Sequence, residues 1–300
     1  MGTIQALKSY HPHQVQEESL SSFKNYIVPP TSPLFGLVFA YFEFNVCSLS
    51  ELIYVPDGCP DLAFIYYSNR VECHIGGSRL NLFKVFFNAP DGCTVFGVRF
   101  AVGALRSICH APMKELYNQI QTLDTLISNS KEIILAMEHA SDFITRVSVC
   151  EKQLITRYSK ACFKSQYLVN YCVKEIVNTG GMIKVKELAD KTYYSARYIN
   201  TLVEDYVGHS PKQLSMIVRF QQSFYDFYQN PKQTLSNLAW NYNFYDIAHL
   251  DRTYKSLVSV SSAHLFRMLI PGYFDYIPNT INDQWLSSWR VPPYQGHIAR

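Results

Sequence analysis

One arrangement constrains this chain more than any other: a short helix, a break and a longer helix, written twice. Leu188-Ala189 recurs as Leu238-Ala239 after 50 residues, and Ile199 and Leu202 recur as Leu250 and Thr253 after 51. Helical spacing of apolar residues predicts helices over 164–177, 185–191 and 195–206 in the first copy. Asn178-Thr179-Gly180-Gly181 and Gly208 supply stops, and Ser195 supplies an N-cap. Pro211 opens a long helix over 211–228, closed by Asn230-Pro231. The pattern then repeats over 235–240 and 246–257, around a break at 241–244. The small Ala of each first helix lets the second cross it closely at a steep angle, where a bulky side chain would hold it off.

Such a pair leaves the N-terminal part of its second helix protruding, a shape suited to the major groove of DNA. A straight helix over 211–228 spans roughly 27 Å at about 1.5 Å per residue. Successive groove entries lie about 34 Å apart. Two pairs on one stiff connector therefore predict a two-lobed reader of duplex DNA.

The first hundred residues follow a different grammar. Residues 34–46 are β-branched and aromatic, and further strand-like runs cover 62–67, 70–75, 80–87 and 94–100. Pro56-Asp57-Gly58-Cys59 and Pro90-Asp91-Gly92-Cys93 are turn sequences, because Pro presets φ and Gly accepts positive φ. Gly76-Gly77 is expected to join 70–75 to 80–87. This half reads as a small antiparallel barrel or sandwich up to about residue 102. Short helices are expected at 104–110 and 113–117. Residues 131–158, free of Pro and Gly, are helix-compatible and either cover the barrel or pair with a second copy.

The expected fold class is α+β, an antiparallel β-barrel-like domain with following helices and then an all-α domain. The expected division is 1–160, with a helical segment at 104–160, then 161–270, then a tail over 271–300 that carries Trp285 and Trp289.

Charge follows the same division. Residues 1–150 hold 10 Lys+Arg against 13 Asp+Glu, whereas residues 151–300 hold 17 against 11. A basic C-terminal half suits a polyanionic partner. The 22 Tyr and 19 Phe imply much amphipathic surface, some of it meeting water or a ligand through the tyrosine tip. Apolar runs fall short of the ~18–20 residues of a membrane span, and the start MGTIQALKSYHPHQ lacks the order of a signal peptide, so a cytoplasmic location without membrane contact is expected. The eight cysteines form no C-x-x-C pair and read as small buried hydrophobes.

Enzyme chemistry finds little footing. No G-x-S-x-G, P-loop or G-x-G-x-x-G is present. A metal-dependent barrel enzyme, the alternative class, needs three converging ligands. The first half offers Glu72 and His74 on one strand, with His11 and His13 upstream, so neither metal nor cofactor is expected. A third reading keeps the DNA-binding fold as an adaptor acting through protein partners.

Leu188-Ala189, Ser195-x-Arg197-Tyr198-Ile199, Gly208-x-Ser210-Pro211, Arg219, Leu238-Ala239, Phe244, His249 and Arg252-x-Tyr254-Lys255 resemble the DNA-binding domain of the AraC/XylS family of bacterial transcription regulators, over residues 165–268. Asn243 stands where that family usually has Gly, and Ser259 and Ser262 where it has Gly and Pro. Val55–Leu62 and the run Phe96-Gly97-Val98-Arg99-Phe100-x-x-Gly103-Ala104 resemble the cupin-like regulatory domain that precedes some members.

The resemblance implies a transcription regulator that binds double-stranded DNA and works with RNA polymerase. A small effector or homodimerisation would act through its first domain. It implies base contacts from Arg197, Asn200 and Thr201 on one helix and from Ala248, His249 and Arg252 on the other. Arg pairs bidentately with guanine and Asn with adenine, and Thr or Ala meets a thymine methyl. His249 either reads a base or supports its helix pair. Arg219 either holds a phosphate or braces the two lobes. Lys184, Lys186, Lys191, Lys212, Lys232 and Lys255 are phosphate contacts or ordinary solubilising lysines. In the barrel half, Arg99, Tyr66 and Asp57 are the effector-binding candidates, with Tyr66, Tyr41 and Phe64 either walling a pocket or filling the core. Arg99 is either a fixed cation for an anionic effector or a rim residue paired with Asp57 or Asp61.

Overall fold

A computed structural model describes residues 10, 12, 14, 22–46, 52–81, 83–85, 92–160 and 165–269. Among these residues eight strands come first: β1 (Lys24–Ile27), β2 (Val38–Asn45), β3 (Leu52–Tyr54), β4 (Asp61–Tyr66), β5 (Val71–Gly76), β6 (Phe83–Val85), β7 (Thr94–Phe100) and β8 (Ile120–Thr122). Six form an antiparallel sheet in the order β1-β2-β7-β4-β5-β8, while β3 and β6 make a separate ribbon. The central β7 is buried on both faces, which its near-continuous apolar sequence requires. Tyr41, Phe64, Phe96 and Phe100 fill one face without exposure. That face is covered by α1 (Ser130–Glu138) and α2 (Phe143–Lys160), whose Met137, Val147 and Leu154 join the same core.

Several local expectations change here. The described part of the 80–87 run, β6, does not pair with β5. β6 pairs with β3, and β8 takes the place beside β5. The backbone of Gly77 lies so close to the Leu116 carbonyl that a Cβ would collide with it, and Ser78 Oγ donates to Val207 O at 2.6 Å. The chain therefore leaves the sheet toward the helical half instead of forming a hairpin. Residues 104–110 and 113–117 tighten to single 3₁₀ turns, Leu105–Ser107 and Met113–Leu116. The 131–158 stretch breaks at 139–142, where Asp142 accepts from the N–H of Thr145 at 3.1 Å and opens α2. Gly58 and Gly92 both hold positive φ, as the turn sequences require, while Pro90 and Asp91 lie outside the described residues.

The helical half follows as α3 (Gln166–Asn178), α4 (Val185–Thr192), α5 (Ala196–Val207), α6 (Pro211–Gln229), α7 (Leu235–Asn241), α8 (Ile247–Val258) and α9 (Ser262–Leu269). The termini are set by local chemistry. Ser195 Oγ accepts from Tyr198 N, Asp246 Oδ1 accepts from His249 N, and Ser210 with Gln213 forms a capping box behind Pro211. Gly208 ends α5 at φ +84°. Asn243 and Ser259, which stand at family glycine positions, adopt left-handed φ values of 55° and 61°. Ser262 replaces Pro with a residue that has an N–H, and both this N–H and its Oγ donate to Asp251 Oδ1 at 2.9 and 2.6 Å.

α6 serves two cores at once. Leu214 and Val218 pack with Leu188, Ile199 and Val203 of the first helix pair. Ile217, Phe220, Phe224 and Phe227 pack with Leu238, Leu250, Tyr254 and Phe266 of the second. The β-half is fastened to the same frame. Arg106 pairs with Asp205 at 3.0 Å, Ser107 Oγ donates to Gln166 Oε1 at 2.6 Å, and Gln221 Nε2 donates to Pro56 O at 2.7 Å.

Gly181 sits where α3 turns into α4, at φ +75°, and a Cβ there would strike the Ser215 carbonyl of α6. Gly181→Ala combines left-handed strain with overpacking and should lower stability by about 3 kcal/mol. Urea unfolding measures this; an unchanged midpoint would show that the turn and α6 are not in close contact.

Candidate nucleic-acid interface

α5 and α8 are the second helices of the two pairs. Each rests on its apolar face, through Ile199 and Val203 in one and Leu250, Tyr254 and Leu257 in the other. The opposite faces carry the candidate readers. Arg197 and Thr201 are exposed on α5, and Ala248 and Arg252 are exposed on α8. Asn200 is half-buried, with Nδ2 donating to Ala196 O at 2.9 Å. His249 is turned inward. Its Nδ1 accepts from Tyr245 N at 3.2 Å, and its ring stands edge-on to Phe244 with centroids 5.6 Å apart. The imidazole thus ties the turn to the first turn of α8.

Arg219 occupies a comparable position between the lobes. From α6, its Nη2 donates to Gly181 O at 3.0 Å, and its guanidinium lies over the Phe244 ring at 5.5 Å. One side chain therefore reaches the α3–α4 turn that leads into the first pair and the turn within the second. Lys184, Lys186, Lys212, Lys232 and Lys255 are exposed. Lys191 is exposed as well, but its Nζ pairs with Glu175 at 2.5 Å.

Of the three effector candidates, Arg99 and Asp57 come together and Tyr66 does not. Arg99 is buried, bonded to Asp61 Oδ1 at 3.1 Å and 3.9 Å from Asp57, with its guanidinium 5.6 Å from the Phe42 ring and 5.3 Å from the Tyr54 ring. Asp57 accepts from Cys59 N, Gln14 Nε2 and Tyr54 Oη. Burial still pushes its carboxyl up to about 6, against the opposing pull of Arg99. Tyr66 lies at the far end of β4, where its hydroxyl donates to Met137 O and Arg146 covers its ring at 3.9 Å. Arg99 is paired with Asp61, and Tyr41 and Phe64 are fully buried in the core of the sheet. The reason is register. Arg99 faces Asp61 across the ladder, whereas Tyr66 faces Thr94 at the opposite end.

A cavity of about 380 Å³ opens elsewhere, lined by Tyr10, Val28, Pro29, Phe35, Phe39 and Val102 among others. It lies beside the β1–β2 connection, which composition alone did not mark. Of the residues considered as metal ligands, Glu72 is engaged by Arg70 and His74, and His11 and His13 lie outside the described residues. No helix among the described residues is long and apolar enough to cross a membrane.

Residues 26–122 match a family model described as a domain of unknown function, DUF6597. No curated protein matches the chain. Among solved structures, an apo variant of ToxT from Vibrio cholerae is similar at 10% identity, covering 83% of this chain and 98% of its own, with a TM-score of 0.38. ToxT with an unsaturated fatty acid bound is similar at 11% identity over 77% of this chain and 95% of its own, with a TM-score of 0.39. ToxT bound to (E)-4-(8-methylnaphthalen-1-yl)but-3-enoic acid is similar at 8% identity over 83% and 100%, also at 0.39. In the helical half, the two repeated segments each fold as a helix, a turn and a longer helix, α4–α5 and α7–α8.

His209 joins α5 to α6 and was not singled out in the sequence. It is fully buried, meets Tyr117 edge-on at 5.4 Å, and among the described residues neither ring nitrogen has a hydrogen-bond partner. Burial pushes its imidazole down to about 4. The folded protein thus keeps His209 neutral while the unfolded chain takes up a proton below its ordinary value near 6.5. Stability should be flat above that value and fall by up to about 3 kcal/mol as pH drops toward 4. His209→Leu should remove that part of the acid limb in urea titrations across this range; an identical limb in the variant would assign it to other groups.

Proposed function

We propose that the protein is a transcription regulator of the AraC/XylS type that binds double-stranded DNA selectively through residues 161–270. Residues 1–160 act as its regulatory domain. The observation that carries this reading is the pairing of exposed reader positions, Arg197 and Thr201 on α5 with Ala248 and Arg252 on α8, in two helix pairs built on the single helix α6. Arg197 and Arg252 supply the main base contacts. Asn200 contributes once its bond to Ala196 is exchanged, and His249 serves by holding its turn. Lys184, Lys186, Lys212, Lys232 and Lys255 meet phosphates, Lys191 does so if it leaves Glu175, and Arg219 braces the lobes.

Regulation enters through the β-half, as a small effector, as homodimerisation, or as both. ToxT structures contain an unsaturated fatty acid or an aryl butenoic acid. In this chain the lining of the cavity itself, aromatic and proline-rich beside Val28 and Val102, supports an apolar effector over one gripped by Arg99. Contact with RNA polymerase and a cytoplasmic location complete the proposal.

Binding to the upstream region of its own operon, titrated with salt, tests the reading. Affinity should fall steeply with salt and exceed that for an unrelated duplex. Arg197→Ala and Arg252→Ala should each remove about 1–3 kcal/mol of discrimination while the protein stays folded. Unchanged footprints in both variants would show that α5 and α8 are not the readers, and equal weak binding to every duplex would favour an adaptor.

A further inference from the structure

We infer that Tyr194 and Tyr245, the residues immediately before the N-caps of α5 and α8, are a matched pair of uncharged anchors for the DNA phosphate backbone. The inference rests on the DNA-binding reading and adds contacts that neither the motifs nor the lysines supply.

Position is the first observation. Ser195 and Asp246 are the two N-caps, 51 residues apart, and each is preceded by a tyrosine. The turns themselves differ in length, since left-handed Tyr193 and Asn243 stand 50 residues apart. The aromatic residue thus keeps its place beside the cap although the loop does not keep its length. Each tyrosine also stands three residues, about one helical turn, before a candidate reader, Arg197 in one unit and Ala248 in the other.

Exposure is the second. A side chain before an N-cap ordinarily turns inward against the first turn of its helix. Tyr245 does not, being 91% exposed, because its neighbour Phe244 fills the buried place instead. Tyr194 stacks on Tyr198 with centroids 5.2 Å apart, yet half of it remains exposed. Neither residue fills a core.

The third lies beside Tyr194. Tyr193 holds φ +60° and is 96% exposed. A bulky side chain is disfavoured in the left-handed region, where the second unit places Asn243. Tyr193 thus occupies a strained conformation without burial in return, and such residues concentrate at functional surfaces.

Tyrosine chemistry fits one occupant. Its hydroxyl donates to a phosphate oxygen and its ring lies against the adjoining sugar. A duplex entered by α5 and α8 passes both tyrosines at equivalent points. A protein partner has no reason to require the same residue at the same place in two separate lobes. Being neutral, these contacts release no counterion, so their loss leaves a mark different from that of lysine.

The full chain carrying Tyr194→Phe and Tyr245→Phe tests this against the upstream duplex and a scrambled duplex across a salt series. Both substitutions keep the ring at an exposed site. Affinity should fall about three- to tenfold per hydroxyl, equally for both duplexes and with an unchanged salt slope. Tyr193→Gly should raise the unfolding temperature and still weaken binding to both. Wild-type affinity in the double variant, or a loss confined to the upstream duplex, overturns the inference while leaving the DNA-binding reading intact. Failure of the unaltered protein to bind either duplex removes both.

Discussion

The two-sided burial of α6 is the constraint on which the rest of the helical half depends. A helix of 19 residues that presented one apolar stripe would support one helix pair and leave the other to find a core elsewhere. Here Leu214 and Val218 serve one pair, and Ile217, Phe220, Phe224 and Phe227 serve the other. Neither α4–α5 nor α7–α8 is long enough to be stable alone. Each gains its stability by burial against α6, so the two lobes share a frame instead of being tethered by a linker. Arg219 reinforces this by spanning from the Gly181 carbonyl to the Phe244 ring.

The β-half is joined to that frame through polar contacts at its least regular places. Pro56, Ser78, Arg106 and Ser107 all lie in turns or connections, and each bonds to the helical half. Beneath them, Asp57, Asp61, Arg99, Tyr54 and Gln14 form a buried network whose members satisfy one another. A buried arginine with two carboxylates needs such complete pairing, because any partner removed leaves a charge without solvent. Asp57 and Arg99 therefore read better as the structural floor of the contact between the halves than as a ligand grip.

Much of this was legible in the sequence where local chemistry and periodicity agree. The repeated Leu-Ala pairs, the Ser195 cap and Pro211 located the helices to within one or two residues. The strands at 62–67 and 94–100 were visible because both are apolar runs following turn sequences. Partnership was not visible. Whether 80–87 pairs with β5 or with β3 depends on Gly77 and Ser78 being drawn toward Leu116 and Val207, contacts remote in sequence. Short edge strands such as Lys24–Ile27 carry no period long enough to detect. At the interface, types and exposure of the readers were readable, but the inward turn of His249 required knowing where Phe244 lies.

A continuous α-helix as the spine also limits how such a protein can diverge. Adding one residue inside α6 would swing the second lobe by about 100° around the axis and advance it by about 1.5 Å, exchanging its buried and solvent sides. Single insertions are therefore closed to this segment, whereas substitutions on the outward faces of α5 and α8 are not. New target sites would arise by changing letters at fixed spacing, with the distance between the two recognised segments inherited unchanged.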